Sequence, residues 1–370
     1  MLGLVLPGGF QVIPRPSPAV APGGPRATTK LIWVTEWTAD VLAGYRQQTF
    51  ELGPDPDGEG GLVATLVRRG DINPSATRAV LVVHGFTDYF FHTELADHLA
   101  DRGFAVYALD LHKCGRSWRE GQTPHFTTDL ARYDHELIRA LGVINTETSA
   151  DVLVYGHSAG GLIVSLFLDR LRSHGSTQRH RVSGLVLNSP WLDLQGPAFL
   201  RAAPTGAAIA ALSRVRKKTV VRAPVPEGGY GSTLHRDYSG EFDYDLKWKP
   251  IGGFPVTFGW IHAIRRGHAK LHRGLDVGVP NLILRSDRSV REVSDPNVIQ
   301  RGDAVLDVNQ IARWAGCIGN RSTVVPITDA KHDVFLSVPE ARQAAYDELD
   351  RWLDAHVAGS TTQPDRGVTR

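Results

Sequence analysis

From residue 79 onward, short unbroken apolar runs alternate with stretches in which apolar positions recur every three or four residues. Ala79–Val83, Phe104–Leu109, Val152–Tyr155 and Gly184–Asn188 have the length of strands and are apolar throughout rather than at every second position. Glu94–Arg102, Leu130–Leu141 and Leu162–Leu171 have helical spacing, and Gly103 follows the first of them as a cap. Strands apolar on both faces, alternating with helices, predict a mostly parallel sheet covered by helices on both sides, an α/β fold. Upstream, Thr49–Leu52 and Leu62–Val67 flank a turn-rich, acidic stretch from Gly53 to Gly61 and predict a hairpin.

The alternation stops near Pro190. It resumes with Asn281–Leu284 and Thr323–Ile327, and a last helix is expected over Pro339–Val357. Residues 191–275 therefore read as an inserted cap in one sheet domain whose parts are 30–190 and 276–358. Residues 1–29, rich in Pro and Gly, read as a flexible arm, and 359–370 as a flexible tail.

Composition narrows the class. The 370 residues include 41 basic and 39 acidic side chains, a formal charge of +2. Such a balance speaks against a nucleic-acid binder and gives no long-range pull toward anionic membranes. Two cysteines, Cys114 and Cys317, exclude a disulfide framework and a cysteine-built zinc site, and free thiols in a reducing compartment are expected. No apolar run approaches the ~18 residues of a membrane span, and no basic stretch precedes the first apolar residues. The expectation is a cytoplasmic protein with no stable membrane insertion.

The chemistry lies in Gly156-His157-Ser158-Ala159-Gly160, between the strand Val152–Tyr155 and the helix Leu162–Leu171. This is the G-x-S-x-G pattern in the strand–turn–helix setting it requires. The tight turn demands small neighbours, supplied by Gly156, Ala159, Gly160 and Gly161. The helix N-terminus brings partial positive charge to where an oxyanion would form. A serine hydroxyl needs a base, and in this fold the order along the chain is Ser, acid, His. Of the fifteen histidines, His332 is the candidate, in a loop between the strand Thr323–Ile327 and the last helix.

With His84-Gly85-Phe86, Gly156-His157-Ser158-Ala159-Gly160 and the terminal His332 segment, the chain resembles the monoacylglycerol lipase and lysophospholipase branch of the α/β-hydrolases, the serine aminopeptidase-like group. Asp110 to Ser117 is similar to that group's Asp-rich turn, but Lys113 and Cys114 stand where it usually has Gly and His. The resemblance implies an oxyanion hole from the backbone N–H groups of Phe86 and Ala159. His84 is expected to shape that loop rather than to act in catalysis.

The acid must lie between Asn281–Leu284 and His332, and Asp287, Asp295, Asp303 and Asp307 qualify by order. Asp287 is nearest the strand, but the gap to the histidine is then long. Asp303 leaves room for one helix, Asn309–Ala315, and one strand. Its segment Asp303-Ala304-Val305-Leu306-Asp307 resembles the family's acid, with Asp287–Gly302 as a local insertion. Asp303 is the preferred acid, then Asp287 and Asp307.

In the cap, Ala198–Val215 reads as a helix packed on the sheet domain with a solvated basic end, a lipid-touching lid being the other reading. Trp248, Phe254, Phe258 and Trp260 are expected mostly to form the cap's own core. His268 and His272 are expected on a solvated helix face rather than around a metal. The expectation for function is a cofactor- and metal-free serine hydrolase of carboxylic esters, on monoacylglycerol, lysophospholipid or similar small esters. An acyltransferase or peptidase would use the same residues, and a non-catalytic small-ligand binder is the remaining alternative.

Overall fold

The computed structural model describes residues 36–224, 229–290 and 295–357. The expected arm (1–29) and tail (359–370) lie outside them.

The chain opens with β1 (Thr38–Ala39), β2 (Tyr45–Pro54) and β3 (Gly61–Arg69). There follow β4 (Arg78–Val83), α1 (Thr93–Asp101), β5 (Phe104–Asp110), α2 (Asp134–Glu147), β6 (Asp151–His157), α3 (Ala159–Ser173) and β7 (Val182–Asn188). Next come α4 (Ala203–Val215), β8 (Val220–Arg222), α5 (Gly229–Ser232), β9 (Val256–Thr257) and α6 (Phe258–Leu271). The sheet resumes with β10 (Asn281–Ser286), followed by α7 (Pro296–Ile299), α8 (Val308–Trp314), β11 (Ser322–Ile327) and α9 (Pro339–His356).

Nine strands form one sheet in the order β1-β2-β3-β5-β4-β6-β7-β10-β11. The pairs among β1, β2, β3 and β5 are antiparallel, and all others are parallel. Side chains of a strand alternate between faces, and here both faces are covered. Leu81, Val83, Val152, Val154 and Leu187 pack with Leu137, Leu141, Leu162 and Leu166 of α2 and α3. Val80, Val82, Leu153, Tyr155 and Val186 pack with Leu95 and Leu99 of α1 and Leu349, Trp352 and Leu353 of α9. The unbroken apolar runs arise from this two-sided burial.

The chain reverses its direction across the sheet at β4, with β5 on one side and β6 on the other. Loops at the carboxyl ends of β4 and β6 therefore diverge around a crevice, the usual ligand site of an open α/β sheet.

The hairpin is longer than its apolar runs predicted, because β2 and β3 stay paired from Tyr45–Arg69 to Pro54–Gly61. The expected helix Leu130–Leu141 begins as a 3-10 turn over Leu130–Tyr133. Helix α4 has no buried residue and packs against α6 rather than on the sheet. It is α6 that reaches the core, through Trp260, Ile264 and Leu271.

His268 and His272 correct the expectation of a solvated face. His268 is buried and its Nε2 bonds the Trp191 carbonyl at 2.8 Å, while His272 bonds the Leu192 carbonyl at 2.9 Å and stacks on Trp314. Their basic neighbours have partners of their own, Arg265 on the Leu200 carbonyl, Arg266 facing Asp129 and Lys270 paired with Asp169, so local charge in the sequence did not determine where these rings go. No helix among the described residues is long and apolar enough to cross a membrane. Cys114 and Cys317 are unpaired.

Candidate active site

Ser158 occupies the turn from β6 into α3 at φ +52°, ψ −119°, a conformation uncommon for any residue with a side chain. Its backbone is held there from three directions. The Ser158 N–H donates to the Asn188 carbonyl at 3.0 Å, and the Ser158 carbonyl accepts from the N–H groups of Gly161 (3.0 Å) and Trp191 (2.9 Å). The flanking glycines are required by contact. A Cβ at Gly156 would lie 2.6 Å from Val164, and one at Gly160 would collide with the His84 carbonyl oxygen.

His332 sits in the loop after β11. Its Nδ1 is 2.9 Å from Asp303 Oδ2 in a buried pair, so Nδ1 carries the proton and donates it to the carboxylate. Asp303 accepts with its other oxygen from the backbone N–H groups of Val305 (2.8 Å) and Leu306 (2.7 Å). Its main chain pairs with that of Arg288 and Val290, so the excursion after β10 returns Asp303 to the strand's end. The other candidate acids are occupied elsewhere. Asp287 faces Arg288, and Asp295 and Asp307 cap α7 and α8.

The histidine loop is fastened on both sides of His332. Lys331 Nζ donates to the Thr233 carbonyl, and the Asp333 N–H donates to the Tyr230 hydroxyl. Asp333 is itself buried. Burial raises its pKa, but the neighbouring imidazoles of His157 and His92 and hydrogen bonds from His92 and Asn188 hold it well below the usual carboxylate range. Sequence reading did not single out Asp333, since it is one of several aspartates in a loop.

Phe86 follows β4 and Ala159 opens α3, whose first N–H groups have no partner within the helix. The two segments touch: a Cβ at Gly85 would lie 3.0 Å from Ser158 Cβ. His84 shapes the loop, with its ring bonded to the Gly85 carbonyl at 2.8 Å and to the Leu111 N–H at 3.1 Å. Both ring nitrogens are thereby engaged. Behind it, Cys114 Sγ bonds His125 Nδ1 at 3.2 Å; burial raises the thiol's pKa and lowers the imidazole's. His84, Cys114 and His125 are close enough to hold a metal, but with His84 committed and the thiol held protonated they fit a neutral hydrogen-bonded cluster better.

Ser158, His332 and Phe86 line one cavity of about 340 Å³. Tyr230, Lys249, Phe254 and Trp260 wall it from the stretch between β7 and β10, and Val305 and Leu306 from the excursion after β10. Phe254 and Trp260 thus face the cleft, contrary to the expectation of a private cap core, while Trp248 joins Tyr89, Phe91 and Tyr244 in a separate cluster. The Phe86 and Trp260 rings lie 4.0 Å apart. The arrangement joins a serine at a helix N-terminus, a histidine tied to a carboxylate and a mainly apolar pocket, the parts of acyl transfer.

A family model described as serine aminopeptidase, S33, matches residues 74–290, a span that holds Phe86 and Ser158 and ends before Asp303 and His332. Comparison with curated proteins returns no significant match. Among solved structures, the chain is similar to a soluble variant of monoglyceride lipase from Saccharomyces cerevisiae in complex with a substrate analog. Identity is 17%, coverage 90% of this chain and 99% of that one, and the TM-score 0.54. It is also similar to the monoacylglycerol lipase of Paleococcus ferrophilus (17% identity, 84% and 99% covered, TM-score 0.52). A carboxyl esterase from Bacillus coagulans in complex with glycerol is similar at 13% identity, 84% and 99% coverage and TM-score 0.55. At these identities the likeness is one of fold.

Proposed function

The chain belongs to the serine aminopeptidase S33 family, whose fold is that of the α/β-hydrolases, and on that footing we propose that it hydrolyses carboxylic esters with Ser158, His332 and Asp303 as its triad. The observation that carries the reading is the 2.9 Å bond between His332 Nδ1 and Asp303, beside a strained serine in the same cavity. Ser158 Oγ attacks the ester carbonyl and passes its proton to His332 Nε2. The N–H groups of Phe86 and Ala159 stabilise the oxyanion. His332 then protonates the leaving alcohol, leaving an acyl group on Ser158. Water, deprotonated by His332, releases the acid and restores the serine. Asp303 keeps the proton on Nδ1 and stabilises the imidazolium.

Esters are favoured over peptides by charge. An aminopeptidase must meet a substrate ammonium. Asp88 is the only carboxylate among the described residues lining the cavity, and Lys249 neutralises it at 2.8 Å. A mainly apolar cavity of this size suits a monoacylglycerol, a lysophospholipid or a similar small ester. In this reading 191–275 form the cap over a core of 30–190 and 276–358, and the enzyme works in the cytoplasm, where Cys114 and Cys317 stay reduced.

A fluorophosphonate probe tests the chemistry. Wild type is expected to be labelled and Ser158→Ala not. Absent labelling of wild type, or equal labelling of both, would defeat it. A panel of p-nitrophenyl esters beside aminoacyl anilides tests the substrate class, with turnover expected on the esters; preferential cleavage of the anilides would make the protein a peptidase.

A further inference from the structure

The loop that carries Phe86 is pinned from the cap. Lys249, between α5 and β9, extends its ammonium into the wall of the cavity and donates to Asp88 Oδ1 at 2.8 Å and to the Thr87 carbonyl at 3.4 Å. Only 11% of its side chain is exposed, and that of Asp88 is 2% exposed. The other oxygen of Asp88 accepts from the Gly85 N–H at 3.3 Å. Five residues beyond Lys249, the Phe254 N–H donates to Thr87 Oγ1 at 2.9 Å. Thr87 sits at φ +54°, a conformation that needs outside support in a β-branched residue. The peptide joining Gly85 to Phe86 therefore lies between two fastenings. One is His84 on the core; the other is the cap segment 249–254 acting on Thr87 and Asp88.

We propose that Lys249 is a positioning residue. Through Asp88 and Thr87 it orients the Gly85–Phe86 peptide, so that the oxyanion hole is complete only while the cap segment 249–254 is seated on this loop. The inference rests on the reading of Phe86 as an oxyanion donor. It explains a buried cation in the wall of a mostly apolar cavity: its partner is the loop next to the reacting carbonyl, not the substrate. A pair serving only to hold the cap would contribute to folding and to the shape of the pocket, without acting on the developing oxyanion.

Lys249→Met separates the two roles. In the folded variant, kcat on p-nitrophenyl butyrate is expected to fall about 10²-fold, the loss typical of a misplaced oxyanion donor, with KM within about twofold of wild type. The matched thionoester is the specific readout. Sulfur accepts hydrogen bonds weakly, so an intact hole strongly favours the oxygen ester, and the ester-to-thionoester rate ratio should fall along with kcat. Thr87→Val removes the acceptor for the Phe254 N–H without exposing a buried charge. It gives the same answer if Lys249→Met does not fold, with a loss of about tenfold expected in kcat and in the ratio. An unchanged kcat and ratio, or a loss confined to KM, in a folded variant would overturn the inference while leaving the hydrolase reading intact. Failure of wild type to react with the fluorophosphonate would remove the premise itself.

Discussion

Asp303 gives its two oxygens to different partners, and that division makes a sharp prediction. Oδ1 is taken by two backbone N–H groups and Oδ2 by His332. In Asp303→Asn the amide oxygen must stay with the backbone donors, which leaves the NH₂ group facing His332 Nδ1. The imidazole then has to accept there and carry its proton on Nε2, where it cannot receive one from Ser158. Turnover of a p-nitrophenyl ester is expected to drop about 10⁴-fold with the melting temperature little changed, whereas Asp287→Asn should retain near wild-type turnover. A fully active Asp303→Asn with an inactive Asp287→Asn would reassign the acid. At this scale the chain was informative where chemistry demands a local pattern. The elbow was recognisable because its turn tolerates only small neighbours, and His332 because it follows a strand. The carboxylate that pairs with His332 was harder to read: Asp303 reaches the end of β10 through main-chain bonds to Arg288 and Val290, which no spacing encodes.

Among elements, the turn between β2 and β3 gathers three carboxylates at one place. Asp55, Asp57 and Glu59 are almost wholly buried there and enclose Lys113, with its Nζ 2.7 Å from Asp55 and 2.6 Å from Glu59. Lys217 and Lys218, which follow α4, bond Asp57 and Glu59 from the outside, and Arg132 also pairs with Asp57. These contacts differ in worth. Removing one partner of a buried pair strands the other charge, so Lys113→Met is expected to cost about 3 kcal/mol in denaturant unfolding. Lys217 and Lys218 are 37% and 44% exposed, and alanine at either should cost less than about 1 kcal/mol. Equal losses in all three would contradict this ranking. The departure of Lys113 from the family pattern is thus tied to the acidic hairpin, an association between residues more than fifty positions apart that periodicity does not report.

For the whole molecule the most general electrostatic feature is the neutral burial of histidines. Burial holds His157 and His268 down to about 4, and burial together with His84 lowers His125. An unfolded chain would protonate the same rings near 6.5. Between those limits the unfolded state binds protons that the folded state refuses, so stability is greatest above about pH 6.5 and falls as pH drops toward 4. Thermal melts between pH 7.5 and 4.5 should show this decline, and His268→Gln should make it shallower; a melting temperature flat across that range would refute neutral burial. Asp333 and Asp88, held below the usual carboxylate range, add losses only at lower pH. The alternation of apolar runs and helical periods by itself determined the parallel sheet, its two helical layers and the hairpin, because each follows from which faces of a local segment must leave water. Tertiary structure decided what depends on side chains meeting across the fold: the carboxylate paired with His332, the aromatics Phe254 and Trp260 facing the cleft, the buried His268 of α6 and the lysine clamped to the loop after β4. Those outcomes rest on hydrogen bonds and ion pairs between segments far apart in sequence, whose energies exist only once the layers have packed.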